Sequence, residues 1–425
     1  MANTGANNNL AAAKAAKNDE FYTQWADIER EVNAYLDYDP DVFRGKVVLL
    51  PCDDPEWSNF AKFFALHFMD YGLAKLISTS YAPDSNPALF SYEPTLFEFN
   101  DPQFDETKTY TNGKKFTLEP HDINDDGVIN IDDLQWKYLE GDGDFRSDEV
   151  TALRDEADIV ITNPPFSLFR EFVTWLIDGG KQFSVIGSNN AITYKEVFPL
   201  IRSNRLWKGA TANSSDMVFG VPQSFTVSDA DRQKAERLGY PSDDDNIFTR
   251  LGNSCWLTNI DHGRRHQPLQ LMTEADNVKF SKHAGIRGVG YERYSNFDAI
   301  EVPYSDAIPA DFDGLMGVPV TFLDKYNPDQ FEIVGTSDGA FAAALGVTPL
   351  GPEYVGNVGR TKLGLARTSK AVFKRILIRR RSRENGNLRV VSSGNTGLHD
   401  SRAQSGRPVD VSVVEDALGN VHLEA

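Results

Sequence analysis

The chain reads as an α/β protein: a doubly wound sheet with an acidic EF-hand-like insertion, followed by a C-terminal α+β region. Two repeated units and one loop predict it. Residues 47–50 form a buried-type strand that runs through a polar loop into an aromatic helical pattern and a second strand at 74–81. Residues 158–162 open a second strand–loop–helix–strand unit that ends near Gly187. Such units need crossover connections, hence a parallel sheet with helices on its faces. At 158–166 the strand runs directly into Asn163, Pro164, Pro165 and Phe166. Neither proline can donate to a ladder, so the chain leaves the sheet in a stiff loop at the carboxyl edge, where open α/β folds hold ligands.

The elements follow in order. Residues 1–17 read as a flexible arm without the apolar stretch of a secretory signal. Phe60, Phe63, Phe64, Phe68 and Tyr71 recur near a 3.6-residue period, giving a helix over 60–71 that Gly72 closes. Roughly 82–157 is an insertion rich in turn residues and acids. Ser167 is placed to cap a helix reaching about Ile177, Gly179 and Gly180 end it, and 183–187 is the next strand. Residues 217–220 and 254–258 are strand-like. These features divide the chain into a nucleotide-type domain over 18–262, a recognition-type region over 263–383 and a polar tail over 384–425.

No run of about 18 apolar residues is present, which excludes a membrane-spanning helix. Two cysteines, Cys52 and Cys255, suit a reducing cytoplasm better than a disulfide scaffold. The 62 acids outnumber the 43 Lys and Arg for a net charge of −19, which taken alone opposes nucleic-acid binding. The distribution matters more. Residues 122–158 hold 13 acids against 3 bases, whereas 360–383 hold ten bases and no acid. Arg360, Lys362, Lys374, Arg375, Arg379, Arg380 and Arg381 lie in that second stretch. A polyanion can meet it without meeting the first, although a solvated basic face would look the same in sequence.

The loop at 163–166 suits one chemical problem, making an exocyclic or amide nitrogen attack a methyl group. Such a nitrogen is a poor nucleophile because its lone pair is delocalised. Two fixed acceptors, the Asn163 side-chain oxygen and the Pro164 carbonyl, can bind both N–H hydrogens and turn the lone pair toward a donor. Phe166 can stack on a planar substrate such as a flipped-out base. A plain strand-ending turn is the simpler reading of those four residues. Upstream, Cys52, Asp53, Asp54, Ser58 and Asn59 occupy the first strand–loop–helix turn, where a nucleotide-like cofactor would lie, or they cap the helix. Asp144 and Phe145 sit in a Gly-Asp-Gly-Asp-Phe-Arg run at what would be a third strand end. Residues 122–133 match a Ca²⁺ loop, with Asp122, Asn124, Asp126, Val128, Asn130 and Asp133 at the ligand positions and glycine at position 6. A helical pattern follows that loop, and an extended segment precedes it. Asp133 is shorter than the usual glutamate there.

Together, the Asn-Pro-Pro-Phe strand end, the Cys-Asp-Asp-Pro loop, the Asp-Glu-Phe-Tyr-Thr segment at 19–23 and the run at 313–328 resemble the EcoRI-type adenine-specific DNA methyltransferases, over roughly 18–380. The resemblance implies a cytoplasmic, S-adenosylmethionine-dependent enzyme that methylates N6 of a flipped-out adenine in duplex DNA, in a bacterial or phage restriction-modification setting. It implies that Phe21, Tyr22 and Thr23 lie by the methionine end of the cofactor, that Asp53, Ser58 and Asn59 replace a glycine-rich loop, and that Asp144 and Phe145 approach the cofactor's adenine. The usual Phe-x-Gly-x-Gly loop is missing, and the strand ending at Ser80 lacks an acid for the ribose. Two other classes stay open: a methyltransferase for another planar nitrogen, in ribosomal RNA or a protein glutamine, and a non-catalytic Ca²⁺- or DNA-binding module. The sequence leaves the recognition site and any partner nuclease open.

Overall fold

The computed structural model describes residues 21–85, 99, 101–211, 217–223, 225–243, 246–356 and 362–384, and strands at 387–389, 413–415 and 421–423. One compact unit runs to Arg389. A second unit, from Val390, contributes a hairpin of Val413–Glu415 with Val421–Leu423.

The first half of the main unit supplies β1 (Tyr22–Thr23), α1 (Trp25–Leu36), β2 (Val47–Leu50), α2 (Asn59–Leu66), β3 (Lys75–Ser80), β4 (Lys114–Leu118) and β5 (Gln135–Tyr138). Then come α3 (Asp148–Glu156), β6 (Ile159–Thr162), α4 (Phe169–Asp178) and β7 (Gln182–Ser188). They are followed by α5 (Phe198–Arg202), β8 (Trp207–Lys208), β9 (Val218–Val221), β10 (Ile247–Arg250) and β11 (Ser254–Thr258). Eight of these strands form one sheet in the order β5-β4-β3-β2-β6-β7-β11-β8. Its centre, β3-β2-β6-β7, is parallel, and both flanks are antiparallel.

The central strands read as continuous apolar runs because both faces are covered. Val48 and Leu50 point into the core with α1 and α2, while Leu49 faces the core shared with α3 and α4, and none of the three is exposed. In α2, Phe60, Phe63 and Phe64 are buried, each contributing about 1.5–3 kcal/mol through apolar burial. On α1, Ile28, Val32 and Tyr35 form the inner stripe. The buried Glu31 accepts from Tyr35 Oη (2.6 Å), the Ala210 and Thr211 N–H groups (2.8 and 2.9 Å) and Thr211 Oγ1 (2.7 Å), which ties α1 to the segment after β8. The mixed α/β architecture with helices on both faces agrees with the expected fold class, and Cys52 and Cys255 are free thiols. Among the described residues, no helix is long and apolar enough to cross a membrane.

Several local expectations are corrected. The helix expected over 60–71, α2, stops at Leu66, and turns carry the chain to Gly72, which takes a positive φ of 64°. Leu168, not Ser167, is the capping residue of α4, because 166–168 first make a 3₁₀ turn. Within the insertion, β4 and β5 extend the main sheet from β3 as an antiparallel pair. The 122–133 loop joins these two strands. The helical pattern expected after it is only a turn, Ile131–Asp133, before β5 begins, so no helix–loop–helix is built.

The residues at the expected Ca²⁺-ligand positions make contacts within the turn itself. Asp133, the residue at position 12, accepts from the Ile123, Asn124 and Asn130 N–H groups at 2.8, 3.4 and 3.0 Å. Asp122 accepts from the Asp126 and Gly127 N–H groups, Asn124 from Asp126, Asp126 from Val128, and Asn130 from Asp132. The backbone N–H of Val128, rather than its carbonyl, is what this turn uses. Among the described residues no cluster of three or more acids, histidines or cysteines is arranged to hold a metal ion.

The C-terminal region builds a mixed sheet in the order β12 (Glu292–Arg293), β13 (Ile300–Glu301), β14 (Met316–Pro319), β16 (Arg375–Arg380), β15 (Phe331–Thr336). Ile300, Met316, Phe331 and Ile376 belong to the same buried cluster as Val160 and Phe183 of the main sheet. The two sheets therefore share one core.

Candidate active site

β6 ends at the buried Thr162, and the next residue, Asn163, stands at the carboxyl edge between β2 and β7. The Asn163 side-chain Nδ2 donates to the Phe21 carbonyl at 2.5 Å. Its other atom, Oδ1, is buried and accepts no hydrogen bond among the described residues. Buried polar atoms are satisfied in the large majority of cases, so an unpartnered acceptor at a strand end leaves capacity for a donor from outside. Pro164 is buried, and the Pro165 carbonyl is taken by the Leu168 N–H at 3.0 Å. The Phe166 ring is half-buried and lies 5.5 Å from that of Phe21.

The loop after β2 approaches the same edge. Cys52 adopts a left-handed φ of 67°, the conformation a glycine would supply, and its N–H is held by Thr79 Oγ1 at 3.2 Å. Asp53 is the hub. Ser58 Oγ donates to Asp53 Oδ1 at 2.6 Å while accepting the Phe60 N–H to cap α2. Thr162 Oγ1 lies 2.6 Å from Asp53 Oδ2 and 2.8 Å from the Pro51 carbonyl. Ser78 Oγ donates to the Asp53 carbonyl. Burial is the main reason the Asp53 carboxyl is pushed up to about 7, against the lowering effect of the Ser58 and Thr162 hydroxyls. Proton counting agrees. If the single Thr162 hydroxyl proton serves the Pro51 carbonyl, the short Asp53–Thr162 contact needs a proton from Asp53 itself. Asp53 thus ties β2, β3, α2 and β6 together, reaching β6 at Thr162, one residue before Asn163. Thr162 and Ser78 carry no motif signal and were not anticipated.

Asn59 Nδ2 donates to the Thr23 carbonyl at 2.8 Å, bringing β1 to the start of α2. Thr23 Oγ1 is a second buried oxygen with no partner among the described residues. Phe21, Tyr22, Thr23, Cys52, Asp53, Asp54, Ser58, Asn59 and the 163–166 loop are therefore gathered by tertiary structure at one sheet edge. Asp144 and Phe145 follow the hairpin beyond β3. Asp144 pairs with Arg146 (2.5 Å), whose hydrogen bonds hold its carboxyl below the usual range, and Arg146 also reaches Glu171. Phe145 is fully buried, its ring 4.9 Å from Phe172 and 5.5 Å from Trp175, so its contacts are core packing. Gly143 does approach the end of β3: at φ 89°, an added Cβ would fall 2.3 Å from the Ser80 carbonyl oxygen.

The basic stretch is less free than its composition suggests. Arg375 is bound by Glu301 at 2.6 Å in a buried pair, and Lys374 by Asp338 at 2.7 Å and Thr193 Oγ1 at 3.2 Å. Arg381 Nε donates to the Phe331 carbonyl at 3.3 Å. Lys362, Arg379 and Arg380 are half-buried, Arg367 and Lys370 are exposed, and Arg360 lies outside the described residues. Because Thr193 lies just beyond β7, its bond to Lys374 brings the stretch beside the strand next to β6.

The family described as adenine-specific methyltransferase EcoRI matches residues 9–381. The chain is 39% identical over 337 residues to the Type II methyltransferase M.EcoRI of Escherichia coli, covering 79% of this chain and 90% of that protein. It is 35% identical over 322 residues to the Type II methyltransferase M.MpnI of Mycoplasma pneumoniae, covering 76% and 83%. No solved structure matches it.

Proposed function

This chain belongs to the EcoRI family of adenine-specific methyltransferases, and from that premise we propose how its residues act. It is a site-specific DNA adenine methyltransferase of the restriction-modification type. The finer reading is transfer to N6 of an adenine turned out of the duplex, and the buried, unpartnered Oδ1 of Asn163 carries it.

The family implies S-adenosylmethionine, which when bound supplies an electrophilic methyl group on a sulfonium. The residues fit it on one observation: Thr23 Oγ1, an unpartnered buried hydroxyl, stands in the strand whose Phe21 carbonyl reaches Asn163. Tyr22, Thr23 and the loop from Cys52 to Asn59 would hold the cofactor, with Asp144 toward its adenine. Asn163 Oδ1 and the Pro164 carbonyl accept the two N6 hydrogens, and Phe166 packs against the base. Held so, the amino nitrogen can pyramidalise and present its lone pair in line with the methyl carbon. In that arrangement the amino nitrogen would take the methyl group as the cofactor's thioether departs, and the surplus amino proton would pass to water. Duplex DNA is the substrate, with Lys362, Arg367, Lys370, Arg379 and Arg380 as contacts to its phosphates.

Incubation with duplex DNA and labelled S-adenosylmethionine, followed by base-resolution mapping, tests this. Label at N6 of adenine within one short sequence is expected, and Asn163→Ala should remove it while leaving the fold intact. Label on another base, on RNA or on protein would overturn the assignment.

A further inference from the structure

We propose that the main-chain carbonyl of Phe21 is a positioning group for methyl transfer: it fixes the Asn163 amide by Nδ2, so that Oδ1 is the atom offered to the substrate. The inference rests on the reading above and deepens it. An asparagine amide has two orientations of nearly equal shape, and only one presents an acceptor to an amino group. The other would set an NH₂ against an NH₂. A carbonyl can only accept, so the atom 2.5 Å from the Phe21 oxygen has to be Nδ2, and Oδ1 is the one left buried without a donor. The orientation of the key amide is therefore decided by a backbone atom 142 residues away in sequence.

That carbonyl is itself held firmly. The Phe21 ring is buried against three others: Phe166 (centroids 5.5 Å), Phe219 (6.0 Å, edge-on) and Phe225 (5.5 Å, edge-on). β1 is only two residues long, yet it pairs with β9 at Tyr22↔Gly220 and Thr23↔Phe219, and β9 pairs in turn with β10. Asn59 Nδ2 clamps its far end at the Thr23 carbonyl. The small β1-β9-β10 sheet thus acts as a bracket against which the amide is aligned. On this reading Phe21 works through Asn163 and does not itself touch the cofactor.

Two changes to the full-length enzyme test the role. Replacing Tyr22 by its α-hydroxy analogue turns the Phe21–Tyr22 amide into an ester, whose carbonyl is a poorer acceptor. Phe225→Ala removes one wall of the ring cluster, and Phe225→Leu refills much of it. Single-turnover transfer at saturating DNA and S-adenosylmethionine should fall about tenfold or more in the ester and in Phe225→Ala, as expected for a misaligned buried amide. Cofactor Kd should stay within about twofold, and Phe225→Leu should recover most of the rate. Unchanged transfer at saturation in both variants, or a loss confined to cofactor Kd, would overturn the proposal and make Phe21 a cofactor contact. Normal transfer by Asn163→Ala would overturn it together with the reading beneath it. Loss in Asn163→Ala with a fully active ester and Phe225→Ala would overturn the positioning role alone.

Discussion

The turn at 122–133 and the loop at 163–166 both carry asparagine or aspartate oxygens, yet those oxygens end in opposite states. In the first, Asp122, Asn124, Asp126, Asn130 and Asp133 all accept backbone N–H groups from the same turn. In the second, Asn163 has given its donor to Phe21 and keeps an acceptor buried without a partner. The first motif matches its pattern at more positions, but the second is the better site. A side chain is available for chemistry when folding leaves its hydrogen bonding incomplete, and a sequence pattern does not report that.

The contrast breaks or holds on measurable effects. The largest is expected at Asn163. Asn163→Ala should lower the single-turnover methyl-transfer rate by roughly 10²–10³, as for loss of one preorganised hydrogen-bonding group, with an unchanged melting curve. A rate within a fewfold of normal would mean that the free oxygen is incidental.

At Asp133 the sign reverses, because its oxygens serve the fold. Asp133→Ala should lower Tm by several degrees and leave transfer by the folded enzyme near normal. Backbone N–H groups, led by that of Asn130, hold the Asp133 carboxyl below its ordinary value. Its contribution is therefore present above the unfolded pKa of about 4 and is lost as pH falls through the lower folded value. Asp53 behaves oppositely. Its folded pKa is raised to about 7, so its stabilising, protonated form is complete near pH 4 and is lost as pH rises toward 7. Asp53→Asn, which keeps a donor toward Thr162, should flatten that decline in a Tm-against-pH series. An identical series for the two proteins would remove Asp53 from the proton-linked role. The smallest effect is expected from chelation. EDTA or added Ca²⁺ should move Tm by less than about 1 °C, since the acidic turn is already held together by its own amides. A Ca²⁺-dependent rise of several degrees would mean that the turn rearranges around an ion and that the contrast is wrong.

Much of this was legible locally. β2 and β6 read directly from their apolar runs, because a strand buried on both faces is largely apolar. The Asn-Pro-Pro-Phe loop was equally plain, since proline ends a ladder whatever surrounds it. The basic stretch misled, because charge is visible in sequence and pairing is not: Lys374 and Arg375 meet Asp338 and Glu301 only in the fold. β4 was legible only as an extended segment, and β5 stands where a helical pattern is expected, for a related reason. Their residues are half-buried flank positions that become strands by pairing with β3.

By itself, then, the sequence determined the parallel centre of the sheet and the place where the candidate loop leaves it, because periodicity and proline act within a few neighbouring residues. Only the tertiary structure decided which oxygens remain free there. That choice depends on Phe21 meeting Asn163 and on Thr162 and Ser58 meeting Asp53, and a hydrogen bond between distant segments exists only once the sheet has brought their ends together.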